Sequence, residues 1–178
     1  MAISATIFKA TLQISDMDRN YYASHHLTIA RHPSETDERM MVRLAAFAFH
    51  ASEQLEFCKG LSTEHEAALW EKNLVGDIEH WIDVGLPDED RIRKAHNQAD
   101  KVTVYAYGER TAPIWWDGIK NKVSRFDNLS VFYLDPECCD ALCDLVERTM
   151  QFQATIQDGE LWLNSNKGNV TITPERWK

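Results

Sequence analysis

Apolar residues fall into one long helical stripe and a series of short alternating runs. Met40, Leu44, Phe47, Ala48, Ala51 and Leu55 recur at spacings of three and four, which predicts an amphipathic helix. His32-Pro33 breaks the preceding strand, Ser34 is the expected N-cap with Asp37 three residues on, and the helix should reach about Glu53. Before it, Ile3 to Ile14 and Tyr21 to Ala30 read as strands joined by the turn Asp16–Asn20. After it, Leu55 to Gly60 reads as a short strand and Ser62 to Ala68 as a small acidic helix or turn. Leu69–Asn73 and Ile78–Val84 read as a hairpin bending at Gly76.

The second half continues the alternation. Pro87 to Ala99 is a predicted helix with Asp88, Glu89 and Asp90 at its positive end. Lys101–Tyr107 is a strand, Pro113–Lys120 a helix and Leu129–Leu134 a strand. A helix opened by Asp135-Pro136 should extend to Met150. Phe152–Ile156 and Glu160–Leu163 flank Asp158-Gly159, a specific hairpin signal, and Val170–Ile172 adds a last strand. This order implies an α/β (α+β) fold with a mixed central sheet and flanking helices. The strands left over at the two termini are expected to pair into a second, antiparallel sheet, because bare edges are a liability.

Composition narrows the class. At 178 residues, with no linker, repeat or low-complexity stretch, the chain is expected to form one domain spanning 1–178. No window approaches the roughly 20 apolar residues that span a bilayer, and Met1–Lys9 lacks a signal-peptide layout, so a cytoplasmic protein is expected. Four cysteines, Cys58, Cys138, Cys139 and Cys143, lack the paired spacings of a zinc site and read as reduced thiols. A formal net charge of −9 argues against a protein that coats nucleic acid through a broad basic surface, while leaving room for a small cleft.

Candidate chemistry concentrates between Gly76 and Gln98. On the strand, Glu79, Trp81 and Asp83 share one face and Ile78, His80, Ile82 and Val84 the other. Glu79 and Asp83 are separated by about 13 Å at ~3.3 Å per residue, so a metal at Asp83 needs an acid from elsewhere. Glu71 on the hairpin partner, expected opposite Trp81, is one donor, and Glu38 on the flank of the first helix is another. On the following helix, Arg91, Lys94 and Gln98 share a face. A lysine there can stabilise an attacking hydroxide or a phosphorane, and a glutamine can orient the water. Taken singly, each residue also has a plainer role: Glu38 as a first-turn acid favoured by the helix dipole, the cations as a solvated stripe pairing with Asp88 and Asp90.

Several strings carry a family resemblance: Thr28-Ile-Ala-Arg-His-Pro-Ser-Glu-Thr-Asp-Glu-Arg-Met-Met41, Trp81-Ile-Asp-Val-Gly-Leu-Pro87, Ile114-Trp-Trp116 and Asn128-Leu-Ser-Val131. With Leu12–Arg19, Arg148–Met150 and Gln153–Gly159, they resemble the YaeQ family of small bacterial proteins over nearly the whole chain. The resemblance implies a variant of the PD-(D/E)XK, restriction-endonuclease-like fold, whose members cut nucleic acid with Mg²⁺. In those terms Glu38 matches the first-helix acid, Asp83 the strand acid and Gln98 a helix glutamine, with Lys94 as a migrated lysine. The superfamily's metal is Mg²⁺ (or Mn²⁺), and the residues place such an ion near Asp83, helped by Glu79 or Glu71 and by Glu38, with nucleic acid as the expected substrate of an active form. The alternative is a non-catalytic module that binds protein or nucleic acid, with a link to transcription. The motif departs from the superfamily pattern: Gly85 stands where its lysine belongs, and Pro87-Asp88 follows the strand instead of preceding it.

Overall fold

The computed structural model describes residues 4–59 and 65–178. In chain order the elements are β1 (Thr6–Asp16), β2 (Tyr21–Arg31), α1 (Asp37–His50), β3 (Leu55–Phe57), β4 (Leu69–Lys72) and β5 (Ile78–Val84). They continue with α2 (Glu89–Gln98), β6 (Ala99–Tyr107), α3 (Thr111–Val123), β7 (Leu129–Leu134) and α4 (Pro136–Cys143). The chain closes with β8 (Thr149–Gln157), β9 (Glu160–Ser165), β10 (Gly168–Ile172) and β11 (Glu175–Arg176). The expected strand Leu55–Gly60 is thus shorter, and Gly60 and the start of the turn expected at Ser62 lie outside the described residues.

The chain divides into two compact units, one formed by Met1–Ala51 with Glu137–Pro174, the other by Ser52–Pro136 with Glu175–Lys178. The first holds a five-stranded sheet in the order β10-β9-β8-β1-β2. Alternation decides its faces: Phe8, Ala10, Leu12 and Ile14 of β1 are buried with Met150, Phe152, Ala154 and Ile156 of β8. Asp158 and Gly159, at φ 53° and 75°, make the tight hairpin turn between β8 and β9 that Asp-Gly signalled.

Strands from both termini do form this sheet, but not an antiparallel one throughout. β1 and β8 run parallel, Lys9 beside Thr149 through to Asp16 beside Ile156. No hairpin joins them, so nothing forces the antiparallel sense. The expected helix to Met150 also stops early, at Cys143. The amides of Leu145 and Val146 bond back three residues, to Leu142 and Cys143, which tightens and ends the helix. Lys9 N then donates to Arg148 O at 2.9 Å, and the next residues are drawn into the ladder with β1. In α1 the N-cap is Thr36, not Ser34; its hydroxyl accepts from Arg39 N at 3.1 Å. Met40 to Ala48 are all buried.

The second unit holds a six-stranded sheet, β11-β7-β6-β5-β4-β3. β5, β6 and β7 are parallel, and β3, β4 and β11 run antiparallel to their neighbours. α2 and α3 cross between the parallel strands and cover one sheet face. There Trp81, Val102, Val104, Leu129 and Val131 pack against Ile92, Ala95 and Val123, with Trp115, Trp116 and Trp177 half-buried at the margin. Trp177 stacks on Tyr133 at 4.7 Å between ring centroids. On the opposite face, buried His80 shares a 2.8 Å hydrogen bond with Thr103 Oγ1.

Candidate functional site

The strand–corner–helix from β5 to α2 is built by local chemistry. Gly85 turns the chain at φ +96°, a region favouring glycine, while its amide donates to Tyr105 O at 2.9 Å. Trp115 Nε1 donates to Pro87 O at 2.7 Å and ties the corner to α3. Asp88 caps α2, accepting from Arg91 N at 2.8 Å. The first turn of α2 therefore stands over the end of β5, and Arg91 meets Asp83.

Asp83 is 4% exposed, and both of its oxygens are engaged. Arg91 approaches as a fork, Nη2 donating to Oδ1 at 2.9 Å and Nε to Oδ2 at 2.8 Å. Ala68 N donates to Oδ1 at 3.1 Å and Trp81 Nε1 to Oδ2 at 3.0 Å. Arg91 Nη2 also donates to Glu66 O at 2.7 Å, and its guanidinium lies 5.7 Å from the Trp81 ring centroid. Burial alone would weaken the guanidinium's hold on its proton. The hydrogen bonds and charge of Asp83 outweigh that and raise it above its ordinary value.

The other expected site residues lie elsewhere. Glu79 is exposed near the start of β5. Glu71 is half-buried and sits opposite His80, not Trp81, because a register shift between Glu71 and Lys72 moves the hairpin ladder. Lys94 and Gln98 follow Arg91 along α2 but are exposed. Glu38 belongs to the first unit, in the first turn of α1. Its carboxyl is raised above the usual value by burial and by Asp140. Among the described residues no three His, Cys, Asp or Glu side chains converge to hold a metal ion. Asp83 fits Mg²⁺ poorly for a more direct reason: its oxygens are already occupied by four N–H donors.

Two pairings escaped the sequence reading. Arg91 was grouped with the helix cations facing Asp88 and Asp90, and its partner is the strand acid eight residues back. In the first unit, Arg43 forks onto Glu35, with side chains 1% and 0% exposed. An arginine inside the apolar run Met40–Ala48 was the signal for it.

The cysteines are free thiols. Burial, then the nearby Glu66 and Glu56, push Cys58 up to about 12. Alkylation by iodoacetamide at neutral pH is therefore expected to be about a thousandfold slower than for an unperturbed thiol, since the thiolate is the nucleophile. Mass spectrometry of the native protein against a urea-unfolded control checks this; equal rates would contradict it.

These features define a mixed α+β protein with two sheets and a buried acid–arginine fork where β5 meets α2. A family model described as YaeQ protein matches residues 1–174, and the chain belongs to the YaeQ family. It is 48% identical over 178 residues to the "Uncharacterized protein YaeQ" of Salmonella typhi, covering 100% of this chain and 98% of that protein. The Escherichia coli protein of the same description is 47% identical with the same coverage. The crystal structure of a YaeQ protein from Xanthomonas axonopodis pv. citri matches with a TM-score of 0.95 at 48% identity, over 98% of this chain and 99% of that one. One from Pseudomonas syringae matches at 0.94 and 34% identity, over 98% and 96%. Among the described residues no helix is long and apolar enough to cross a membrane.

Proposed function

We propose that this protein is a non-catalytic, protein-binding module on a nuclease-like scaffold, in which the strand acid has become part of the framework. The observation that carries this reading is the Asp83 carboxylate, buried and saturated by Arg91, Trp81 and the Ala68 amide. A phosphodiesterase needs that carboxylate open to Mg²⁺ and water. Gly85 in place of the superfamily's lysine and the net charge of −9 point the same way.

A protein partner is supported by the β4–β5 hairpin tip. Leu74 and Val75 are almost fully exposed there. The loop that carries them is fixed: Asn73 Oδ1 accepts from Val75 N at 3.0 Å and Asp77 N at 2.9 Å, and Asn73 N donates to Asp77 O at 2.9 Å. Two apolar side chains on a preorganised tip suit insertion into an apolar pocket at little entropic cost.

The test is to incubate the protein with single- and double-stranded DNA and RNA in Mg²⁺ or Mn²⁺, alongside calorimetric titration of each metal. No cleavage and no binding heat at millimolar metal are expected. Metal-dependent cutting that disappears in Asp83→Ala would overturn the reading in favour of a nuclease. The double change Leu74→Ser with Val75→Ser should leave melting unaltered while reducing capture of the physiological partner.

A further inference from the structure

Four strands form the edges of the two sheets, β10 and β2 in one, β11 and β3 in the other. Three of them are short: β3 has 3 residues, β11 has 2 and β10 has 5. β2 has 11. It pairs with β1 residue for residue, Thr6 beside Arg31 through to Asp16 beside Tyr21, without a bulge. On its outer side it meets no further strand among the described residues.

Long edges are normally blunted by lysine, proline, a bulge or brevity. β2 has none of these between Tyr21 and Ala30, where no Asp, Glu, Lys, Arg, Pro or Gly occurs. Tyr22 is 61% exposed on this strand. An uncharged, β-prone edge of this length, in a chain of net charge −9, is the reverse of the protection that the other three edges have.

We propose that β2 is the interface through which two copies of this chain associate, antiparallel and edge to edge, joining their five-stranded sheets into one. A two-fold contact sets the strand against itself, and like charges placed opposite one another would oppose it. The absence of charge from Tyr21 to Ala30 removes that obstacle. Pairing centred on His26, the strand's midpoint, sets His26 against its own copy, His25 against Leu27, Ser24 against Thr28, Ala23 against Ile29, Tyr22 against Ala30 and Tyr21 against Arg31, so no two like-charged side chains stand opposite one another. A foreign strand would need side-chain pockets beside the edge for its specificity. A cavity on this unit lies over β1 and β8, lined by Thr11, Gln13, Gln151 and Gln153.

Light scattering behind size-exclusion chromatography, or sedimentation equilibrium, on the full chain tests this over a concentration and salt series. Twice the chain mass is expected, favoured by added salt because each copy carries −9. His26→Lys sets the introduced lysine against its own copy and should return the mass to one chain with melting preserved. His26→Glu should do the same, and mixing the two variants should restore the double mass through opposite charges. A single-chain mass for the parent under all conditions would overturn the proposal. So would a dimer that survives His26→Lys, or variants that stay single when mixed.

Discussion

Arg43→Ala is expected to lower the unfolding free energy by roughly 3–5 kcal/mol, the range for breaking a buried ion pair from one side. Arg43 lies in the middle of α1 among Met40, Met41, Leu44 and Phe47, and its side chain is 1% exposed. Nε and Nη2 donate to the two oxygens of Glu35 at 2.8 and 2.9 Å, and Nη2 also reaches Ala30 O at 3.2 Å. The alanine variant leaves the Glu35 carboxylate buried, with Arg39 at 3.3 Å as its remaining cation. Arg43→Lys should lose an intermediate amount, since an ammonium cannot span both oxygens. Glu35→Leu combined with Arg43→Met should recover most of the loss, because an apolar pair leaves no unpaired charge. Urea unfolding followed by circular dichroism checks all three. If Arg43→Ala unfolds within about 0.5 kcal/mol of the parent, the pair contributes nothing.

This pair also shows where sequence reasoning stopped. A helix capped by Ser34 would place Glu35 in its first turn, where the dipole accounts for an acid. The helix begins two residues later, after Thr36, so Glu35 stands outside it and folds back on Arg43 two turns along. A shift of two residues at a boundary thus hid a buried fork. The same kind of competition shortened α4. Leu142, Leu145 and Val146 have helical spacing, but the parallel ladder between Lys9 and Thr149 joins residues far apart in sequence and takes the segment for β8. Local signals could not reveal a partner at that separation.

The β5–α2 segment was legible to a greater depth because its determinants are local. The Gly85-Leu86-Pro87 corner and the face carrying Trp81 and Asp83 follow from neighbouring residues, whereas Asp88, expected inside the first turn of a helix starting at Pro87, is the cap of one starting at Glu89. What could not be read was the rotation of α2 about its axis, which decides which cation meets the acid. Lys94 and Arg91 share a helical face, yet only Arg91, in the first turn, stands over the end of the strand. The identity of that cation changes the chemistry. A lone lysine leaves carboxylate lone pairs for a metal, whereas a guanidinium fork takes both oxygens.

Arg91→Ala should therefore cost about 2–3 kcal/mol, less than Arg43→Ala because solvent screens part of the charge left behind. Arg91 keeps 27% of its side chain exposed, against 6% for Asp83. The loss has three sources. Among the described residues Asp83 keeps Trp81 Nε1 and Ala68 N as donors, Glu66 O loses its 2.7 Å bond, and the Trp81 ring loses the cation above it. Arg91→Lys restores a charge but not the fork, so it should recover only part. Asp83→Leu with Arg91→Met should melt closer to the parent than either single variant, as expected when a buried pair is replaced by apolar groups of similar volume. The same variant bears on the proposed function. Freed of Arg91, Asp83 still has Glu79 at the exposed far end of β5 and Glu71 displaced to the level of His80. A single carboxylate holds Mg²⁺ weakly without further oxygen ligands. Calorimetry of Arg91→Ala with Mg²⁺ or Mn²⁺ should stay silent, and a binding isotherm appearing only in this variant would mean that Arg91 occupies a metal site.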